Sequence, residues 1–269
     1  MKIAFIGGGT MGTAISSSLL DKGVISLQDL KVSEISEERC EFLKKEYGIS
    51  ATHDGPGTIK DADVIIFAVK PQYSAEPMAD LKGKVESGQL VLSIMAGVTI
   101  KTLTEELSHG SIVRVMPNTP AQIGEGMSVW TATPEVTAEQ KELATAILRA
   151  IGREIFVDDE KYLDMATAVM GSGPAYFFLY VEALIEAAIE TGFTPDVAKE
   201  LVVQTMLGSG HLIEQSDKSP EELRIMVTSK GGTTAAALEV FDRGEFKKLV
   251  RQAVKAAYDR AIELGGENK

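Results

Sequence analysis

Through residues 1–157, short runs of apolar side chains alternate with longer segments in which apolar positions recur every three or four residues. The short runs have the length of buried strands and the periodic segments that of amphipathic helices. Strands are predicted at residues 2–6, 29–33, 64–69, 90–94, 112–116 and 153–157, with a weaker one near 49–52. Helices fit between them, among them Thr10–Asp21 closed by Gly23, a helix over 36–46 closed by Gly48, and Ala138–Ala150. Glycine just past a helix end accepts the left-handed conformation that stops the helix there. Strand and helix alternating in this way build a parallel sheet covered by helices.

Beyond Asp158-Asp159-Glu160 the strand pattern stops. Helices are predicted over 162–170 and 175–191, separated by Gly171-Ser172-Gly173-Pro174. The second is apolar on most faces, so it is expected to be buried on several sides. Thr194 before Pro195 marks the start of a further helix, and Ser219 with Glu222 has the spacing of a capping box. A last amphipathic helix runs over about 245–264. The expected fold class is α/β: an N-terminal Rossmann-type doubly wound sheet over 1–159, followed by an all-α domain over 160–269. The apolar excess on the 175–189 segment is more than one stripe requires, and a second copy of the chain is the expected cover.

Composition narrows the function. The chain has 269 residues, 44% of them apolar and 25% charged, which suits a globular protein of two modest domains. Its net charge of -12 argues against nucleic acid as a partner, because phosphate would be repelled. No segment approaches ~18 consecutive apolar residues, so no membrane span is expected. The single cysteine, Cys40, cannot form an intramolecular disulfide, which fits a reducing, cytoplasmic location. His53, His109 and His211 stand in unrelated contexts without ligand spacing, so no metal is expected and each histidine reads as a packing or surface residue.

Two glycine-rich loops carry the candidate chemistry. Gly7, Gly8, Gly9, Thr10, Met11 and Gly12 follow the first strand directly and open the first helix. A G-x-G-x-x-G turn in that setting cradles a dinucleotide pyrophosphate: Gly7 permits the tight turn, Gly9 lets backbone approach phosphate, and Gly12 allows close helix–strand packing. At the end of the second strand, Glu34 lies 22 positions after Gly12, where an acidic side chain would take the ribose 2′-hydroxyl of NAD. Ser33 and Ser36 are alternative donors to a 2′-phosphate, Glu34 is equally readable as a solvated helix-start residue, and Arg39 lies one helical turn further on. Both NADH and NADPH therefore remain candidate cofactors. The second loop, Ser229-Lys230-Gly231-Gly232-Thr233-Thr234, lies between two predicted helices, and its backbone N–H groups suit a small carboxylate.

From Pro220 the chain reads PEELRIMVTSKGGTTAAALEVFD. This segment resembles the signature of the pyrroline-5-carboxylate reductases. Val69-Lys70-Pro71, Ser93-Ile94-Met95-Ala96-Gly97-Val98, Arg114-Val115-Met116-Pro117-Asn118-Thr119-Pro120 and Gly171-Ser172-Gly173-Pro174-Ala175 agree with the same family, so the resemblance covers essentially the whole chain. It implies reduction of a cyclic imine carboxylate to proline with NAD(P)H by a homo-oligomer. It further implies that Ser229, Gly231, Gly232, Thr233 and Thr234 hold the carboxylate and that Thr234 stands near the ring nitrogen. Val69, Lys70, Pro71, Ala96 and Asn118 would border the cofactor. Bland readings stand beside these: Lys70 as a solvated lysine, Asn118 as part of a turn, and Thr233 or Thr234 as a helix cap. A β-hydroxyacid dehydrogenase would need a lysine on the helix that begins Ala175-Tyr176-Phe177, and none is present. A dinucleotide sensor without catalysis would have no use for the second loop.

Overall fold

A computed structural model of the chain describes residues 1–267. Eight strands form one sheet: β1 Ile3–Ile6, β2 Leu30–Ser33, β3 Ala51–Thr52, β4 Val64–Phe67, β5 Leu90–Ser93, β6 Ile112–Pro117, β7 Gly126–Ala132 and β8 Gly152–Phe156. Their spatial order is β3-β2-β1-β4-β5-β6-β7-β8. Every neighbouring pair from β3 to β6 is parallel, β7 runs antiparallel to β6, and β8 returns parallel to β7. This is a doubly wound sheet, and its winding reverses between β1 and β4.

The strands lie in the interior because both of their faces are apolar. Ile3, Phe5, Val64, Ile66, Leu90, Leu92, Val113 and Val115 belong to one core cluster. Their alternates Ala4, Ile6, Ile65, Phe67, Val91 and Ile112 belong to the other. That period of two is what a pleated strand imposes, and covering both faces is what a parallel sheet requires. Helices α1 (Thr10–Asp21), α2 (Glu37–Tyr47), α3 (Gly55–Ile59), α4 (Ala75–Leu81), α5 (Ile100–Leu107) and α6 (Ala138–Ala150) join the strands. From α1, Ile15 and Leu19 enter the first cluster together with Leu43 of α2 and Ile147 of α6. The second cluster takes Ile59, Leu81, Leu103 and Leu107 from α3, α4 and α5.

After the sheet come α7 (Lys161–Ala166), α8 (Gly173–Glu190), α9 (Pro195–Gln215), α10 (Pro220–Met226), α11 (Thr233–Arg243) and α12 (Phe246–Glu267). By internal packing, residues Met1–Ser172 and the segment from Ala257 form one compact unit, and Gly173–Ala256 a second. The last two residues of the 160–269 segment lie outside the described ones.

The structure departs from the sequence expectation at three places. A strand, β7, occupies 126–132, where none is predicted. The Gly-Ser-Gly-Pro segment is not a wide break between helices: Thr167–Gly171 is a turn of π-helix, and α8 begins at Gly173. Pro174 fits the first turn of α8, where a missing N–H costs no bond. Third, α8 is not buried on several sides, for Phe177, Phe178 and Leu179 are 65%, 62% and 65% exposed in the single chain. The helical run Lys161–Glu190, 30 residues, is also long and apolar enough to cross a bilayer, a property that a search for uninterrupted apolar residues does not reveal. Glu182, Glu186 and Glu190 recur at four-residue intervals along it, a carboxylate stripe that hydrocarbon would penalise.

Candidate functional site

The carboxyl ends of the strands gather most of the residues singled out in the sequence. In open α/β sheets, ligands bind outside these ends where the winding reverses, here between β1 and β4. Gly7 leaves β1 with φ of 102°, a left-handed value that favours glycine, and its N–H donates to Ser33 O at 2.8 Å. A Cβ on Gly7 would stand 2.8 Å from Val69 Cγ1, so the turn and the end of β4 meet through the missing side chain. A Cβ on Gly12 would stand 2.5 Å from Gly7 O. One on Gly9 would meet nothing within 4 Å. Gly9 is the N-cap of α1, and no side chain caps that helix. The first-turn N–H donors of α1, with Thr10 exposed and Met11 half-buried beside them, therefore have no side-chain cap, and the cap residue is a bare glycine with open space around it. These residues fit a pyrophosphate.

Beside the loop, the end of β2 forms a hydrogen-bonded corner. Glu34 Oε2 accepts from Gly8 N at 2.8 Å, and its Oε1 accepts from Ser36 N at 2.9 Å. Ser36 is the N-cap of α2, its hydroxyl accepting from Arg39 N at 3.4 Å. Arg39, which the sequence places a turn away, reaches back to the loop. Its Nε and Nη2 donate to Gly8 O at 3.1 and 2.7 Å, and Nη2 also donates to Thr13 Oγ1 at 2.7 Å. Its guanidinium also lies over the Phe42 ring, 4.5 Å from the centroid. The signal for Arg39 was its place three residues after the cap, in the first turn of a helix that starts at the carboxyl edge. Glu34 is accordingly no merely solvated helix-start residue.

The next strands add their ends to the same edge. Val69 packs against the second core cluster, Lys70 is exposed, and Pro71 opens a short 3-10 turn. After β5, Ala96 is half-buried and Gly97 adopts φ of 73°. After β6, Asn118 uses both ends of its amide: Oδ1 accepts from Met127 N at 2.8 Å and Nδ2 donates to Met170 O at 3.2 Å. Asn118 thus ties the end of β6 to β7 and to the π-turn, a stronger tie than a simple turn residue makes. Nearby, buried Arg114 on β6 places Nη1 2.6 Å from Glu160 Oε1 and Nη2 3.7 Å from Asp164 Oδ1. Burial pushes the Asp164 carboxyl above its ordinary range, Arg114 pulls it back, and Glu160 raises it again. His109 is buried against Gln89 O at 2.9 Å, and that burial holds its imidazole below the ordinary value.

In the second unit, the loop between α10 and α11 makes its own cradle. The capping box forms as predicted, with Ser219 and Glu222 satisfying each other's backbone N–H at the start of α10. Gly231 takes φ of 72°, and Gly232 N donates to Ser229 O at 3.0 Å. A side chain on Gly232 would collide with Ser229 Oγ. Gly232 is the N-cap of α11 and provides no side-chain cap. Neither Thr233 nor Thr234 caps this helix, which corrects that alternative; they are its first two residues, Thr233 exposed and Thr234 half-buried.

A doubly wound sheet with a bare-glycine turn at its switch point defines a Rossmann-type, dinucleotide-binding protein. Comparison with known proteins goes further. A family profile described as pyrroline-5-carboxylate reductase dimerisation matches residues 160–264, and one described as NADP oxidoreductase, coenzyme F420-dependent, matches residues 2–97. The chain is 40% identical over 264 residues to a pyrroline-5-carboxylate reductase of Haemophilus influenzae, with 97% of each chain covered. It is 38% identical over 264 residues to one of Pseudomonas aeruginosa, covering 98% of this chain and 96% of that one. Among solved structures, a pyrroline-5-carboxylate reductase from Coxiella burnetii superposes with a TM-score of 0.89 at 38% identity, with 98% of both chains covered. A Plasmodium falciparum pyrroline carboxylate reductase with NADP bound gives 0.90 at 31% identity, again over 98% of both. The chain belongs to the pyrroline-5-carboxylate reductase family.

Proposed function

We propose that this chain reduces 1-pyrroline-5-carboxylate to L-proline with NADH or NADPH, the last step of proline synthesis. The observation that carries the reading is the similarity to pyrroline-5-carboxylate reductases along 97% of the chain, through both glycine loops. When bound, the nicotinamide supplies a hydride to the imine carbon. The chain's own residues bind and orient. Gly7, Gly9 and Gly12 admit the pyrophosphate to the N-terminus of α1, with Val69, Lys70, Pro71, Ala96 and Asn118 bordering the cofactor along the strand ends. Backbone N–H groups at Gly231 and Thr233, with the hydroxyl of Ser229, take the ring carboxylate at the uncapped start of α11, where Gly232 leaves room for it and the helix dipole favours an anion.

Thr234 is a positioning residue for the ring nitrogen. Its hydroxyl is too weak an acid to be a strong proton source, so the proton comes with the substrate iminium or through a relayed water. A protonated imine is already electrophilic, and holding its face against the nicotinamide is the larger share of the task.

The 160–269 segment serves substrate binding and dimerisation. Support comes from the exposed apolar face of α8, which a second copy would cover. The half-buried lone thiol of Cys40 is in keeping with a cytoplasmic enzyme. The test is incubation with 1-pyrroline-5-carboxylate and each reduced dinucleotide, following loss of near-UV absorbance and formation of proline. Proline made in step with dinucleotide oxidation is expected; dinucleotide binding without oxidation would refute the reading.

A further inference from the structure

The corner at the end of β2 decides between the two cofactors, and we infer that Glu34 makes this chain selective for NADH, the dinucleotide with an unphosphorylated ribose. The inference rests on the dinucleotide-binding reading of the glycine loop and deepens it.

Both oxygens of the Glu34 carboxylate are held in place, Oε2 by Gly8 N–H at 2.8 Å and Oε1 by Ser36 N–H at 2.9 Å. The carboxylate therefore sits fixed against the second glycine of the loop, with lone pairs remaining on both oxygens. A ribose with free 2′- and 3′-hydroxyls brings O–H donors, which a carboxylate is built to accept. A 2′-phosphate brings only acceptors and a charge of about −1.5 to −2. It meets like charge and finds no donor on Glu34. Moving Glu34 aside would strip both backbone N–H groups of their partner.

Phosphate binding would then need a cation turned toward it, and Arg39 directs three of its five N–H donors into the chain. Arg39 donates through Nε and Nη2 to Gly8 O and through Nη2 to Thr13 Oγ1, with its face over Phe42. His53, just past β3, has its Nε2 3.2 Å from Glu37 Oε2. The hydroxyl of Ser36 accepts from Arg39 N as the cap of α2. Arg39 serves here to hold the Gly8 carbonyl, which keeps the Gly8 N–H aimed at Glu34.

Titration calorimetry on the full chain tests this without turnover. NADH should bind at least about tenfold more tightly than NADPH, which is about 1.4 kcal/mol. Equal affinity, or tighter NADPH, overturns the inference. In Glu34→Gln, which keeps the shape and an acceptor but removes the charge, the affinity ratio should shift toward NADPH by about tenfold or more; an unmoved ratio overturns it. Should that variant fail to fold, competition on the unaltered protein decides. ADP should displace NADH better than 2′,5′-ADP, and the reverse order overturns the assignment. A protein that makes proline while preferring NADPH contradicts this inference alone, whereas one that binds neither dinucleotide contradicts the cofactor reading as well.

Discussion

Gly9 and Gly12 stand three residues apart in one turn, yet glycine serves a different purpose at each. At Gly12 the space is filled, since a Cβ would press on Gly7 O at 2.5 Å; at Gly9 it is empty to 4 Å. Gly12→Ala should therefore destabilise the fold by about 1–3 kcal/mol, as overpacking does. Gly9→Ala should stay within about 1 kcal/mol of the parent in thermal unfolding but weaken dinucleotide binding by about tenfold or more. Equal stability losses in the two variants would contradict the division. Thr234 makes a residue-scale prediction of its own. On the orienting role proposed for Thr234, turnover of Thr234→Ala should fall by about tenfold or more, near 1.4 kcal/mol, with folding intact by circular dichroism. Near-normal turnover would refute its role. The glycine positions were legible because backbone sterics leave a sequence signature. The grip of Arg39 on Gly8 O was not, because it joins residues 31 positions apart through a side chain whose direction no local pattern gives.

At the scale of elements, periodicity located β1, β2, β4, β5, β6 and β8 to within two residues at each end, and α1 without error. It missed β7, whose residues GMSVWTA mix small, polar and apolar side chains. Its place is fixed by pairing with β6 and β8, a tertiary effect that a local window cannot register. The π-turn at Thr167–Gly171 was hidden for a similar reason, since glycines and a proline read locally as a break. One buried ion cluster joins elements across this region. Arg114 on β6 faces Glu160 and Asp164 at the start of α7, and Glu160 Oε1 also accepts from Ile100 N at 2.8 Å. Arg114→Met would leave two partly buried carboxylates without their cation. Discounted for their solvent access, the loss should be about 2 kcal/mol at neutral pH, or roughly a 5 °C fall in the unfolding midpoint. Without Arg114 nothing offsets the burial that pushes the Asp164 carboxyl above its unfolded range. The folded form then binds protons more readily, so the penalty should shrink as the pH falls through the carboxyl range and grow as it rises. Thermal unfolding of parent and variant across that range checks both size and sign; a penalty independent of pH would mean that lost packing, rather than charge, is responsible.

For the whole molecule, the apolar surface along α8 is the feature that a single chain leaves unexplained. Phe177, Phe178 and Leu179 expose more than half of their surface, and the family profile for dimerisation spans them. Light scattering at micromolar concentration should report a dimer or an assembly of dimers, and Leu179→Arg should reduce it to a smaller species. A monomeric parent protein would contradict the reading. The need for a second copy was legible as an apolar excess on residues 175–189, while how much of α8 the single chain leaves open was not. A helix apolar on most faces is buried either within one chain or between two, and sequence alone does not separate these.

The function proposed for the chain turns on hydride transfer from a nicotinamide to a cyclic imine. The most direct measurement uses NADH and NADPH deuterated at both C4 positions of the nicotinamide, with 1-pyrroline-5-carboxylate and the full-length protein, and mass analysis of the product. Proline carrying one deuterium at carbon 5, with an equal amount of oxidised dinucleotide, is the expected result. Proline free of deuterium, or a dinucleotide that stays reduced while bound, would contradict it.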